Sequence, residues 1–346
     1  MDLSPTRGPA KHFVDVGTVG EVGEALRWAA ERGERVHVLG GGSNLVVADS
    51  GLSGLVIHMA NQGLDFQESD ESVLVTVAAG ENWDEVVAAT VDRDLRGLEC
   101  LSGIPGTAGA TPIQNVGAYG AEVADVVEQV EVVDRSTFEQ ERLNGGQCSF
   151  RYRASRFKEN PDRFVVTGVK FRLRKDGEVC LAYPELARAM AVRSSKPGPK
   201  EVREAVLQLR RTKGMVLEEG AVPNVGSFFV NPVLTAQELM RVEAAAEISV
   251  PNYPIEGDGF KVPAAWLIEQ AGMAPGLRRG PVGVSSRHAL SLVHHGGGST
   301  TDLLRLAAEI RSAVQTSVGV VLVPEPVFWG FSGRDPLGSF AEGENP

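Results

Sequence analysis

The feature that most limits what this chain can become is a glycine-dense, nearly uncharged stretch from Leu98 to Gly120. It contains Ser102-Gly103-Ile104-Pro105-Gly106-Thr107-Ala108-Gly109-Ala110 and then Gln114-Asn115-Val116-Gly117-Ala118-Tyr119-Gly120, with neither helical nor strand period. A loop this long inside a compact domain is functional or disordered. Its apolar, charge-poor character argues against disorder. Main chain stripped of large side chains can lie flat against a large ligand. A buried packing loop is the alternative.

A second glycine cluster sits earlier, in Val36-His37-Val38-Leu39-Gly40-Gly41-Gly42-Ser43-Asn44-Leu45. A strand running into such a turn can present consecutive N–H groups to an anion, or it can simply be a tight turn. Leu45 occupies the place of the last glycine in G-x-G-x-x-G, and the Lys-Ser/Thr ending of a P-loop is missing. Phosphate binding here would therefore belong to another architecture.

Alternating signals surround these loops. Strands are expected at His12–Val16, Arg35–Leu39, Leu55–Met59, Ser72–Ala79, Val127–Asp134 and Arg163–Leu173, with helices over Val19–Gly33 and Asp84–Val91. Ser-Ser-Lys-Pro-Gly-Pro-Lys, ending at Lys200, reads as a linker. Beyond it come helices at Glu201–Arg211, Thr235–Ala246 and Ala264–Ala271, and a fourth capped within Thr300–Asp302. Short strands are expected at Ser227–Val230 and Val320–Val323, and a polar tail follows Phe331.

Bulk composition narrows the function. Across 346 residues, 34 Lys+Arg against 45 Asp+Glu give a net charge of −11, so no broad basic surface exists for nucleic acid or an anionic membrane. No apolar run is long enough to span a bilayer, and Met1-Asp2-Leu3-Ser4-Pro5 lacks the marks of a signal peptide. A cytoplasmic protein is expected. Cys100, Cys148 and Cys180 lie far apart without metal-ligand spacing, and neither they nor the six histidines suggest a metal site.

Taken together, G-G-G-S-N-L-V-V after a strand, S-G-I-P-G-x-x-G-A and Q-N-x-G-A-Y-G resemble the UDP-N-acetylenolpyruvoylglucosamine reductase (MurB) family, from about Thr6 to Gly330. The resemblance implies an α+β fold: a two-part FAD-binding domain of the vanillyl-alcohol oxidase type over residues 6–175, then a smaller α/β substrate-binding domain over 201–318. Residues 176–200 would form a tyrosine loop and linker. Residues 319–330 would return to the active site, and 331–346 would be a disordered tail.

The family's cofactor contacts then fall on Gly40, Gly41, Gly42, Ser43 and Asn44 for the pyrophosphate. Ser102, Gly103, Ile104, Gly106, Gly109, Ala110, Asn115, Gly117, Ala118, Tyr119 and Gly120 would line the flavin. Gly42 stands where covalent relatives carry a histidine, so FAD should be non-covalent.

Three further motifs resemble the family's catalytic set. Tyr152-Arg153-Ala154-Ser155-Arg156-Phe157-Lys158 points to Arg153, Gly226-Ser227-Phe228-Phe229-Val230-Asn231-Pro232 to Ser227, and Pro324-Glu325-Pro326-Val327 to Glu325. The implied reaction is NADPH-dependent reduction of an enolpyruvyl UDP-sugar. Arg153 would stabilise the charge developing beside the substrate carboxylate. Ser227 would donate the last proton, and Glu325 would be protonated or paired with Arg153. Substrate anchors would be Tyr183, Lys213, Asn231, Tyr253, Lys261 and His288. Only one branch of the family carries the loop with Tyr183. NADPH and substrate would share one pocket in turn, and no oligomer is required.

Two departures stand out: Thr6-Arg7-Gly8-Pro9-Ala10 keeps only part of the family's opening motif, and His294-His295 replaces a common Asn-Arg. Rival readings are an oxidase of the same flavin class and a non-catalytic binder that kept the fold. Retention of Arg153, Ser227 and Glu325 favours the reductase.

Overall fold

The structure is a computed structural model, and it describes residues 9–192, 196–216, 222–255, 259–331 and 335–338. The chain divides into two compact units. The N-terminal unit comprises Ala10–Gly41 and Ser53–Leu217; the C-terminal unit comprises Met1–Pro9, Gly42–Leu52 and Glu218–Pro346, each in its described part.

In the N-terminal unit, a three-stranded sheet places Leu52–Met59 between Ala10–Val16 and Val36–Leu39, with Val36–Leu39 running parallel to it. The helix Val19–Arg32 starts on a capping box of Thr18 and Glu21 and stops at left-handed Gly33, whose positive φ costs a glycine little. It buries Val22, Leu26 and Ala29.

The larger sheet is antiparallel, in the order Gln140–Asn144, Val127–Asp134, Phe164–Arg174, Ser72–Ala78, Leu64–Glu68. Strict alternation sends Val73, Val75 and Val77 into the core. The central strand Phe164–Arg174 is buried over its first six residues, as a strand covered on both faces should be. Trp83–Asp92 and Pro199–Thr212 pack into the same core through Trp83, Val86, Val87, Val202 and Val206.

The C-terminal unit has a four-stranded antiparallel sheet, Asn224–Ser227, Ser291–His294, Val282–Val284, Arg278–Arg279. A three-stranded one follows the order Val233–Thr235, Gly259–Lys261, Tyr253–Ile255. Its core gathers on the helix Thr300–Val318, which buries Leu303, Leu304, Leu306, Ala307, Ile310 and Val314 along one face. Leu45–Val47 pairs in parallel with Val327–Trp329, and Asp49 accepts the N–H of Thr300 at 2.8 Å. The segment directly after the glycine turn is thus part of this unit's core, through Val46.

Several local expectations need correction. The cap of the last helix is Ser299, boxed with Asp302, because Asp302 lies three residues on; the Thr300 hydroxyl donates to the Val47 carbonyl instead. Val320–Val323 is not a strand: Pro324 and Pro326 remove two N–H donors, leaving a single bridge between Phe229 and Pro324, and pairing resumes only at Val327–Trp329. The strand expected at Ser227–Val230 lies over Asn224–Ser227. Within the expected loop 176–200, Pro184–Ala191 is a helix with Pro at its start. In the expected disordered tail, Leu337 is fully buried and Asp335 pairs with Arg311 at 2.5 Å, so 335–338 are ordered; 332–334 and 339–346 lie outside the described residues. Most of the Thr6–Ala10 motif lies outside them too. No helix among the described residues is long and apolar enough to cross a membrane.

Candidate active site

In the N-terminal unit the two glycine segments meet. A Cβ on Gly40 would stand 2.6 Å from Thr107 Oγ1, and one on Gly41 would stand 2.8 Å from Gly106 Cα. A Cβ on Gly109 would likewise stand 2.4 Å from the Cβ of Ala79. Only glycine allows these approaches. The result is a face of bare main chain drawn from sequence positions far apart, which suits the pyrophosphate and ring of a dinucleotide. These residues fit FAD.

Polar side chains in the long loop mostly build the loop itself. The Ser102 hydroxyl, fully buried, donates to the Glu99 carbonyl at 2.7 Å. Asn115, left-handed at φ 47°, donates to Glu122 Oε2 at 2.5 Å and to the Arg151 carbonyl at 3.2 Å, and accepts from the Ala124 N–H. Asn tolerates that backbone better than most residues.

Gly117-Ala118 and Ala121-Glu122 form a small hairpin whose turn residues, Tyr119 and Gly120, have φ values of 50° and 89°. Two positive φ values are what a tight two-residue hairpin turn demands. For tyrosine the conformation costs about 1–2 kcal/mol. It is offset by burial of the ring edge-on to Tyr183, centroids 5.4 Å apart. Burial pushes the Tyr119 hydroxyl up to about 12. Lys213 Nζ lies 5.8 Å from the Tyr119 ring centre and 2.5 Å from Glu185 Oε2. Tyr119, Tyr183 and Lys213, expected from separate motifs, therefore form one cluster.

Arg153 is also left-handed, at φ 52°, in a turn closed by reciprocal bonds between Arg151 and Ala154. Its Nη2 donates to the Gly117 carbonyl at 2.7 Å, and Lys158 Nζ donates to the Arg153 carbonyl at 3.0 Å. A strained backbone held by several bonds is a common mark of a functional position.

The C-terminal unit collects a second group. The Glu325 N–H donates to the Phe228 carbonyl at 2.8 Å, next to Ser227. Asn44 Nδ2 donates to the Glu325 carbonyl at 3.3 Å, while the Asn44 carbonyl accepts from the Val327 N–H at 3.0 Å. Three distant segments thus meet around Glu325. Asn231 Oδ1 accepts from the Ala264 N–H at 2.9 Å, which fixes the start of a helix. Tyr253 and Lys261 face each other in register, and His288 Nδ1 accepts from the Leu290 N–H.

Both halves match known families over most of their length. Residues 10–138 match a family described as FAD binding domain, and residues 217–329 match one described as UDP-N-acetylenolpyruvoylglucosamine reductase, C-terminal domain. The chain is 46% identical over 335 residues to UDP-N-acetylenolpyruvoylglucosamine reductase of Thermobifida fusca, covering 93% of this chain and 94% of that one. With the enzyme of the same name from Salinispora arenicola it shares 47% over 334 residues, covering 92% and 91%. This chain belongs to the UDP-N-acetylenolpyruvoylglucosamine reductase family. The crystal structure of the reductase (MurB) from Thermus caldophilus superposes with a TM-score of 0.64 over 95% of each chain at 24% identity, so the fold is shared as well. The expected α+β fold, with an FAD-binding domain and a C-terminal domain, is what the chain adopts.

Two residues that touch this reductase's expected site escaped the sequence reading. Arg210 Nε donates to the Gly103 carbonyl at 3.2 Å, and Glu185 pairs with Lys213. Arg210 lies one helical turn before Lys213, so i, i+3 spacing on an amphipathic helix was the available signal.

Proposed function

We propose that this protein reduces the enolpyruvyl double bond of UDP-N-acetylglucosamine enolpyruvate, giving UDP-N-acetylmuramate for peptidoglycan synthesis, with non-covalent FAD and with NADPH as reductant. The observation that carries this reading is kinship with reductases of that name along 93% of the chain. Two bare glycine loops in van der Waals contact support a dinucleotide cofactor.

Bound FAD supplies the two-electron chemistry that couples NADPH to the substrate's double bond. Gly40, Gly41, Gly106 and Gly109 hold it by main chain. Arg153, its guanidinium aimed by the Gly117 carbonyl, offers a planar fork to the substrate carboxylate and stabilises charge developing beside it. Ser227 donates a proton from its hydroxyl to the substrate carbon. A serine hydroxyl is a weak acid, but the receiving carbon is far more basic, so the transfer runs downhill. Glu325 helps only if neutral or charge-compensated, since a bare carboxylate would repel the substrate's own.

Tyr183, Lys213, Asn231, Tyr253, Lys261 and His288 anchor the UDP portion. Asn231 uses its carbonyl oxygen on Ala264, which leaves its Nδ2 group to serve a phosphate. NADPH and the UDP-sugar take the same pocket in turn, without need of a second subunit. Both are cytoplasmic metabolites, and we place the enzyme there.

The deciding test is anaerobic absorbance of the purified protein in the flavin band. NADPH should bleach it, and the enolpyruvyl UDP-sugar should restore the yellow colour. Bleaching without recovery would reject the substrate, and protein that takes up no FAD would reject the cofactor.

A further inference from the structure

Gly103, in the loop assigned to the flavin, is gripped through both of its backbone groups. Its N–H donates to Asp84 Oδ1 at 2.6 Å, and its carbonyl accepts from Arg210 Nε at 3.2 Å. Asp84 is the second residue of the helix Trp83–Asp92. Both of its carboxylate oxygens accept from Arg203, at 2.6 and 2.9 Å. Arg203, Leu207 and Arg210 follow i, i+4, i+7 on the helix Pro199–Thr212, so one stripe of that helix faces the loop. Leu207 completes the fit: a Cβ on Gly103, whose φ is +72°, would stand 2.8 Å from its Cδ2.

Two features separate this arrangement from an ordinary tie between helices. Asp84 has two partners at 2.6 Å, and one is the loop's amide rather than an arginine. The charge count also favours an anion, since two guanidiniums, Arg203 and Arg210, face one carboxylate. Burial raises the Asp84 pKa, but hydrogen bonds from Arg203 and the Gly103 N–H outweigh it, and the net direction is downward.

We propose that Asp84 and Arg203 are positioning residues for the cofactor, fixing the Ser102–Gly106 loop in the conformation that FAD binds. This rests on the FAD-dependent reading given above. The carboxylate orients the Gly103 peptide, Arg203 orients the carboxylate, and neither touches the reacting atoms.

The test is FAD titration of apoprotein by flavin fluorescence, with melting of the apoprotein measured in parallel. Arg203→Met and Asp84→Asn should each weaken FAD binding by about tenfold or more, the scale of a lost charge-assisted hydrogen bond. The reversed pair Asp84→Arg with Arg203→Asp should recover the melting temperature of the apoprotein but not FAD affinity. A guanidinium at the first site offers the Gly103 N–H no acceptor. Recovery of both would reduce the pair to a structural tie and overturn the proposal. If the reversed pair does not fold, Arg203→Lys decides. Lysine keeps the charge but not the bidentate fork, so its loss of FAD affinity should be smaller than that of Arg203→Met, and a loss equal to that of Arg203→Met would overturn the proposal. Wild-type protein that takes up no FAD overturns the cofactor reading, and this inference with it. Wild-type binding with unaffected single variants overturns this inference alone.

Discussion

The two units hold their candidate groups by opposite means. In the N-terminal unit the main chain does the shaping: glycines at van der Waals contact, and left-handed Asn115, Tyr119 and Arg153 bent into place by their neighbours. In the C-terminal unit short strand pairings and backbone bonds bring segments from distant positions around Glu325. The first arrangement suits a large ligand held by shape. The second suits proton transfer at a few atoms, while we assign charge stabilisation to Arg153 in the first. On the proposed roles, cofactor binding and proton transfer should be separable by mutation, and three variants test that separation.

The largest effect should come from Ser227→Ala. Loss of a positioned proton donor costs about 10²–10⁴ in rate. That loss should appear in the reoxidation of flavin by substrate and spare its reduction by NADPH, measured separately by stopped-flow absorbance. Equal slowing of both half-reactions would sink the donor assignment.

Gly41→Ala attacks the other unit. Its Cβ would fall 2.8 Å from Gly106 Cα, a backbone atom that cannot swing away. Overpacking of this kind costs about 1–3 kcal/mol. The variant should melt lower and hold FAD less tightly, while any protein that keeps its flavin should turn over at near the normal rate. Weak turnover in fully loaded protein would blur the division drawn here.

How much of this was legible in the sequence follows from the same division. The glycine loops could be read because tight turns and close approach are local demands that leave a local mark. The long strands were found by their period, as with Val73, Val75 and Val77. Strands of two or three residues, such as Arg278–Arg279 and Val233–Thr235, are too short to show a period at all. Val320–Val323 misled for the opposite reason: its composition favours a strand, but the prolines after it break the ladder. Likewise, Asn44 reads as part of a phosphate turn, yet its contact with Glu325 spans 281 positions and leaves no trace nearby.

Acid should loosen the N-terminal unit first. Asp134 is fully buried there. Burial alone raises its pKa, but hydrogen bonds from Ser136 and Arg163 win and hold it well below the usual carboxylate range. A depressed folded pKa contributes stability above the unfolded value of about 3.9 and loses it as pH falls below that. In the C-terminal unit the paired acids Asp302, Glu309 and Asp335 are each at least a third exposed, where solvent screening keeps an ion pair weak. Hydrogen exchange followed by segment from pH 7 downward should show Val127–Asp134 and Phe164–Arg174 losing protection before Thr300–Val318. The reverse order would contradict this. Asp134→Asn should flatten the difference.

The smallest effect is the most discriminating. Asn44 adjoins the glycine turn in sequence, yet its side chain reaches the Glu325 carbonyl and its own carbonyl receives Val327. Replacing it by alanine removes the neutral hydrogen bond to that carbonyl, and a bond of this kind is worth about 0.5–1.5 kcal/mol. If the turn's only service is to the cofactor, Asn44→Ala should weaken FAD binding and leave loaded enzyme unchanged. If the bond to Glu325 matters more, FAD affinity should hold while reoxidation by substrate slows several-fold and its pH dependence moves, because the acid is less firmly placed. The packing of Val46 into the C-terminal core favours the second outcome, since it ties this stretch to the unit that carries Glu325. Titration of FAD and the pH profile of the substrate half-reaction, taken on the same preparation, separate the two.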